Sequence, residues 1–370
     1  MNEEIRRQNA ARNLDEYRQG AAVLTTLPRY VLVELTQGCN LACPMCRSGR
    51  ISPRERGMTR ELVDEVADTL FPTAELVDIR GWGESLIAEG VEHLIDRVET
   101  SGARTRVVTN LSFNRPAILE RLVHSGAMVD VSIDSAEPDV LRTVRIGTKF
   151  DLVKKNLRNL VRLRDATGSN AEFRFVVTLQ RQTLAGLADL VRFAGEVGVR
   201  ELALNEVTLN PGHPMRIDDI PDEVDRAVEA AQQAAAVAGV RLQAGSSLGT
   251  RVPVEKGTNG GPGYCVHPWS YATIGYDGVV GYCDHLVGPM MPVAHMGTFS
   301  PDAFMEVWNG PAWQRLRVWH TVRHSADKPV SPTCAKCYLH RNVDFEDVFE
   351  PGLKRTWVTL PEGTGAATSH

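Results

Sequence analysis

The sequence predicts an α/β protein built on a parallel sheet, with a smaller part behind it. Six strand-like runs are each followed by a helix-like run, this alternation stops near residue 244, and the 370 residues are 43% hydrophobic and 24% charged. Repeated strand–helix alternation places parallel strands in one layer and helices over them. Right-handed crossovers then leave a wound sheet or a barrel, and the alternation alone does not choose between them. The length suits one large domain with an appendage, or two medium ones, each with its own core.

Taken in order, residues 1–27 read as a polar helical leader and a connection. The first strand spans 30–35 and runs into a cysteine-bearing loop. A helix starts after Thr59, an N-cap residue, with Leu62, Val63, Val66 and Leu70 on one face. Strands follow at 76–80, 105–109, 128–133, 173–179 and 201–204, with helices near 91–100, 115–124, 151–164, 184–197 and 221–238. Residues 244–263 are rich in glycine and turn residues and read as a linker, with no Gly-Lys-Ser/Thr of a phosphate loop behind them. Runs at 270–276 and 279–282 flank Asp277-Gly278, a hairpin signal. One amphipathic helix carrying Phe304, Val307, Trp308, Leu316 and Trp319 completes the predicted elements, and the last ten residues read as a disordered end.

The formal net charge of -5 does not suggest a nucleic-acid surface. No apolar run reaches about 18 residues, so no membrane span is expected. The N-terminal residues lack an apolar core, so no secretory signal is expected, and the chain reads as cytoplasmic.

That setting makes the seven cysteines informative, because disulfides rarely persist there and an odd total speaks against a disulfide framework. Cys39, Cys43 and Cys46 form a C-x3-C-x2-C group within eight residues. Three thiolates are one short of the usual structural zinc set, and they suit a 4Fe–4S cluster with one iron open to an exogenous ligand. The plain alternative is three buried apolar cysteines. Cys265, Cys283, Cys334 and Cys337 form a second, spread group, open to zinc or to iron–sulfur. A zinc ribbon usually shows two C-x2-C knuckles, and only 334–337 supplies one.

The stretch Glu34-Leu35-Thr36-Gln37-Gly38-Cys39-Asn40-Leu41-Ala42-Cys43-Pro44-Met45-Cys46 resembles the cluster loop of the radical S-adenosylmethionine (SAM) superfamily. The resemblance implies a partial (β/α)6 TIM-type barrel, whose chemistry lies at the C-terminal ends of the strands. It implies that the open iron chelates the methionine part of SAM. It also implies reductive cleavage to a 5′-deoxyadenosyl radical, with a flavodoxin- or ferredoxin-type protein as reductant.

The second cysteine group resembles the small α+β twitch domain, a shortened SPASM domain, with ligands for one auxiliary 4Fe–4S cluster. The pattern is similar to that of 2-deoxy-scyllo-inosamine dehydrogenase and related carbohydrate-modifying enzymes. The implied domains are a leader at 1–27, a barrel at 28–243, a linker at 244–263, a twitch domain at 264–345 and a tail at 346–370.

Further residues are implied by the same resemblance. Gly81-Trp82-Gly83-Glu84-Ser85-Leu86 stands where the family has Gly-Gly-Glu-Pro, with Gly83 and Glu84 matched to the SAM ammonium group and Trp82 and Ser85 departing from the pattern. Ser132-Ile133-Asp134, with Arg145 before Gly147, matches a Ser-x-Asp segment followed by Arg-Gly. It implies that Ser132 and Arg145 meet the SAM carboxylate and that Asp134 sits near ribose or substrate. Asn110 is a weaker pocket candidate.

Arg174, Thr178, Gln180, Asn205 and Glu206 lie on or after later strands, where a one-residue shift reverses which face they occupy. His213, His267, Asp284 and His285 read as loop or supporting residues, and Trp308, Trp313 and Trp319 as small-domain core. The expected activity is abstraction of a hydrogen from a sugar, aminocyclitol or sugar-nucleoside, oxidising a secondary alcohol to a ketone in natural-product biosynthesis. The alternatives are redox-neutral epimerisation or decarboxylation, then peptide modification, then a non-catalytic iron–sulfur protein. All seven cysteines are assigned to clusters, so no spare thiol remains to quench a substrate radical.

Overall fold

The computed structural model describes residues 2–46, 56–244, 263–283, 295–323, 334–335 and 358–359. The strands are β1 Tyr30–Val33, β2 Leu76–Ile79, β3 Arg104–Thr109, β4 Met128–Ser132, β5 Glu172–Leu179, β6 Glu201–Glu206, β7 Arg241–Ala244, β8 Tyr271–Ile274, β9 Val279–Gly281, β10 Gly297–Thr298 and β11 Val358–Thr359. The helices are α1 Asn2–Arg18, α2 Arg60–Leu70, α3 Val91–Ser101, α4 Pro116–His124, α5 Pro138–Val144, α6 Phe150–Thr167, α7 Leu187–Glu196, α8 Pro221–Ala238, α9 His267–Ser270, α10 Phe304–Trp308 and α11 Pro311–Val322. Among the described residues no helix is long and apolar enough to cross a membrane. Two compact units divide the chain, one of residues 1–39, 50–107 and 255–356, the other of 40–49, 108–254 and 357–370.

In the first unit β1 lies between β2 and β8 and is parallel to both, from Tyr30 opposite Leu76 and Tyr271 to Val33 opposite Ile79 and Ile274. All four β1 residues are buried, as expected of a parallel strand covered on both faces. β3 pairs parallel with β2, while β9 and β10 continue antiparallel beyond β8. The Asp277-Gly278 turn joins β8 to β9 as predicted, with Gly278 at φ 81°. Thr59 caps α2 by accepting from the Leu62 amide at 3.2 Å, and Val63, Val66, Ala67 and Leu70 are buried.

Residues 271–281 share a sheet with β1, because the β8 backbone finds its ladder partners on β1. α1 is tied to residues 264–269 by hydrogen bonds. Its Tyr17 hydroxyl donates to the Tyr264 carbonyl at 2.6 Å, the Tyr264 hydroxyl donates back to the Tyr17 carbonyl at 2.7 Å, and Asn13 donates to the Trp269 carbonyl at 2.7 Å. The expected single helix over 304–319 is two, α10 and α11, broken at Asn309-Gly310. Asn309 turns away to exchange hydrogen bonds with the Leu24 backbone, 2.8 Å each way, and Pro311 opens α11 where its missing amide costs nothing.

In the second unit β4, β5, β6 and β7 are parallel neighbours in sequence order, with β11 antiparallel on β7. Helices α4 to α8 carry buried apolar stripes, such as Val153, Leu157, Leu160 and Val161 on α6. The sequence reading omitted β7 and α5. β7 is a four-residue run containing Arg241 and Gln243, and α5 is only seven residues long, so neither shows a clear period. The helix expected from 184 starts at Leu187, behind a 3-10 turn over Arg181–Gly186. Residues 245–262 of the expected 244–263 linker and most of the expected tail lie outside the described residues.

Candidate metal and cofactor centre

β1 delivers the chain into Glu34-Leu35-Thr36-Gln37-Gly38-Cys39 inside the first unit. Glu34 is 2% exposed; its Oε1 accepts from the Trp82 amide at 3.1 Å and its Oε2 from Gln37 Nε2 at 3.1 Å. Burial pushes its carboxyl up from 4.5 to about 7. The Thr36 hydroxyl oxygen accepts from the Gly38 amide at 2.9 Å, and the Gly38 carbonyl accepts from the Glu84 amide at 2.9 Å. The 81–84 turn is thereby laid against 34–38. A Cβ at Gly83 would stand 2.3 Å from the Gly38 oxygen, so only glycine permits this approach. Glu84 is buried, and its Oε1 caps the following 3-10 turn by accepting from the Leu86 amide at 3.3 Å.

The second unit holds the rest of the cysteine loop. The Cys46 amide donates to the Cys43 carbonyl at 3.0 Å, closing a turn between two of the cysteines. Asn40 donates to the Ser112 carbonyl at 2.9 Å and accepts at Oδ1 from Asn110 Nδ2 at 2.9 Å. The Ala42 amide donates to the Ile146 carbonyl at 2.9 Å. Asn110 is therefore an anchor of this loop. Its own Oδ1 accepts from the Ser112 amide at 2.7 Å, next to Leu111, a non-glycine residue at φ 51°.

Asp134 has both oxygens engaged. Arg145 Nε donates to Oδ2 at 2.7 Å and Nη2 to Oδ1 at 3.1 Å, while the Thr178 amide also donates to Oδ1 at 2.8 Å. Burial works against the Arg145 charge, but Asp134 and the neighbouring Cys43 outweigh it and its pKa rises. Burial likewise pushes the Cys43 thiol up, with Arg145 pulling it down. Ser132 ends β4, half-buried, opposite Val176.

Of the other polar candidates, Arg174 is committed to Asp130 by two hydrogen bonds of 2.9 and 2.8 Å, and it reaches Gln243 at 3.4 Å. Gln180 is fully buried and opens the 3-10 turn, and Asn205 and Glu206 are half-buried on β6. His213 Nδ1 accepts from the Met215 amide at 3.2 Å within a loop.

For the second cysteine group, the first unit contains half-buried Cys265 and Cys283 and buried Cys334, and the Tyr282 hydroxyl lies 3.6 Å from Cys334 Sγ. Buried His267 stacks on Tyr271 with ring centroids 4.6 Å apart. Trp308, Trp313 and Trp319 are buried, as expected of core residues. Cys337, Asp284 and His285 lie outside the described residues.

Sequence reasoning passed over a second buried charge group, in the first unit. Asp78 on β2 pairs with Arg106 on β3 at 3.0 Å and with Arg80 at 2.7 Å, and Arg80 donates to the Tyr271 hydroxyl at 3.1 Å. Strand alternation was the available signal, since Asp78 and Arg80 sit two apart and Asp78 faces Arg106 in register.

These residues fit an iron–sulfur cluster with SAM by their donor chemistry. The three N-terminal thiols are soft ligands on a loop whose two parts are each tied to a strand end, and a guanidinium beside Cys43 favours its thiolate. Among the described residues no three His, Cys, Asp or Glu side chains are gathered closely enough to hold a metal ion.

Comparison with known proteins agrees. The family model of the Radical SAM superfamily matches residues 33–194, and the SPASM iron–sulfur cluster-binding domain matches residues 265–338. The chain is 25% identical over 312 residues to the AdoMet-dependent heme synthase of Methanosarcina barkeri, covering 80% of this chain and 86% of that one. It is 29% identical over 168 residues to the mycofactocin maturase MftC of Mycolicibacterium smegmatis, covering 45% of this chain and 41% of that one. In fold it resembles SuiB of Streptococcus suis bound to S-adenosylmethionine, with a TM-score of 0.62, 16% identity, and coverage of 90% of this chain and 76% of that one.

Proposed function

Since the chain belongs to the radical SAM superfamily, with SAM and a 4Fe–4S cluster as cofactors of residues 33–194 and auxiliary iron–sulfur in residues 265–338, we propose that it oxidises a secondary alcohol of a sugar, aminocyclitol or sugar-nucleoside. The observation that carries this reading is the partition of the seven cysteines into three and four. Three ligands leave one iron open for SAM, whereas four close the auxiliary cluster, which then suits electron uptake rather than substrate binding. The bound cofactors supply the radical that removes one hydrogen atom and the outlet for one electron.

The substrate loses a hydrogen atom from its carbinol carbon, a proton from its hydroxyl and one electron, and leaves as the ketone. Cys39, Cys43 and Cys46 would hold the first cluster. Arg145, braced by Asp134, would meet the SAM carboxylate, and Glu84 would meet the ammonium group. Asn110 holds the loop through Asn40, and Ser132 adds a hydroxyl at the end of β4. Absence of an unassigned cysteine supports oxidation over epimerisation by a cysteine hydrogen donor. A flavodoxin- or ferredoxin-type protein is the proposed reductant.

The test is product mass after anaerobic reaction with candidate aminocyclitols and sugars. The expected product is lighter by two mass units, with deuterium from the target carbon recovered in 5′-deoxyadenosine. A product of unchanged mass, or one lacking carbon dioxide, overturns the oxidation. Peptide modification is a second reading, favoured by the similarity to a maturase, and a mass change on a supplied precursor peptide would identify it.

A further inference from the structure

Tyr282 stands between β9 and Cys283, and its side chain is only 3% exposed. Its hydroxyl reaches Sγ of Cys334, 52 residues later, at 3.6 Å. The ring is set edge-on against Trp313, with centroids 6.3 Å apart and planes at 77°, and Trp313 packs on Trp308 at 4.2 Å. Packing therefore directs the hydroxyl.

In the chain alone either atom can donate. Once Cys334 ligates iron it is a thiolate, with no proton to give, whereas a phenol hydroxyl can donate. The hydrogen bond then has one direction, from the Tyr282 O–H to sulfur.

We infer that Tyr282 is a positioning residue that sets the reduction potential of the auxiliary cluster through the Cys334 thiolate. This rests on the reading above, in which Cys334 ligates a cluster that takes up the second electron. A donor to a ligand sulfur draws off negative charge and stabilises the reduced cluster, which carries one more electron, so the potential rises. Burial of both partners lowers the local dielectric and strengthens the effect.

The same aromatic group has a second polar partner. The Arg317 guanidinium is fully buried, 4.8 Å from the Trp308 ring centroid and 5.3 Å from that of Trp313. It donates to the Pro268, Ala22 and Trp308 carbonyls and to Asn309, all neutral partners. The aromatic group that orients Tyr282 thus also holds a positive charge.

The test is an EPR-monitored redox titration of the reconstituted holoenzyme and of Tyr282→Phe, which keeps the ring and removes the donor. The auxiliary cluster of the variant is expected to be about tenfold harder to reduce, a downward shift of about 59 mV for one electron, with the SAM cluster signal unmoved. An unshifted auxiliary signal at full iron content overturns the inference, as does stoichiometric zinc in place of the auxiliary irons. Should Tyr282→Phe lose iron, 3-fluorotyrosine at the same position decides. Its more acidic hydroxyl is expected to raise the potential, and an unchanged value overturns the role. Neither titration contains substrate, so a redox-neutral product would retire the alcohol oxidation without touching this measurement.

Discussion

Arg145 donates to both carboxylate oxygens of Asp134, at 2.7 and 3.1 Å, across eleven residues of sequence. The Asp134 side chain has no exposed surface and that of Arg145 only 11%. The pair fixes the plane of the guanidinium beside Cys43, and the Thr178 amide fixes the carboxylate in turn. Asp134 thus holds Arg145 in one orientation.

Asp134→Ala is expected to cost about 3–5 kcal/mol of stability, because it leaves a buried guanidinium without its counter-charge. Denaturant unfolding of the apoprotein measures this without the cofactors. A loss below about 1 kcal/mol would mean that solvent or another acceptor replaces the carboxylate.

Gly83→Ala is expected to lower SAM cleavage by more than about tenfold, since rate losses of that size need only about 1.4 kcal/mol of misalignment. The added Cβ would stand 2.3 Å from the Gly38 oxygen and 2.8 Å from the Thr36 oxygen, all rigid backbone beside Cys39. Gly90→Ala is the control. It meets no atom within 4 Å and carries only the strain of φ 84°, so it should lose stability without losing cleavage. Equal activity losses in the two variants would refute the close-packing argument.

Stability is expected to fall as pH rises from about 4.5 to about 7 through Glu34. Burial raises its folded-state pKa above the unfolded value, so the folded state holds the proton more tightly and the advantage fades as that proton leaves. The span corresponds to about 3 kcal/mol at most. Glu34→Gln should flatten this part of the stability–pH profile of the apoprotein. An unchanged slope would show that Glu34 titrates as an exposed carboxylate does.

Cys39→Ala, Cys43→Ala and Cys46→Ala are each expected to abolish 5′-deoxyadenosine formation, because an incomplete cluster cannot hold SAM productively. The fully reconstituted chain should bind about eight irons, and a variant lacking all four C-terminal cysteines about four. One zinc with four irons in the wild type would assign the second cysteine group to zinc.

Much of the site could be read locally. The 39–46 spacing places three thiols on one short loop, and Gly81-x-Gly83 marks a turn where backbones meet. The hairpin at Asp277-Gly278 and the cap at Thr59 likewise depend on residues within a few positions of each other. Strand–helix alternation gave the parallel sheet for the same reason, since each element carries its own period.

The tertiary structure decided which residues met. Sequence named Asp134 as near ribose or substrate and Asn110 as a pocket residue, and packing pairs them with Arg145 and Asn40. It also joined β8 to β1, set Asn13 against Trp269 across 256 residues, and brought Tyr282 to Cys334. Such pairings depend on strand register, where a shift of one residue sends a side chain to the other face, and on which buried polar group lies nearest. Neither is encoded in any short window of sequence. Residue type and spacing therefore determined the chemistry this chain can hold, while the satisfaction of buried charges and donors decided which side chains stand beside it.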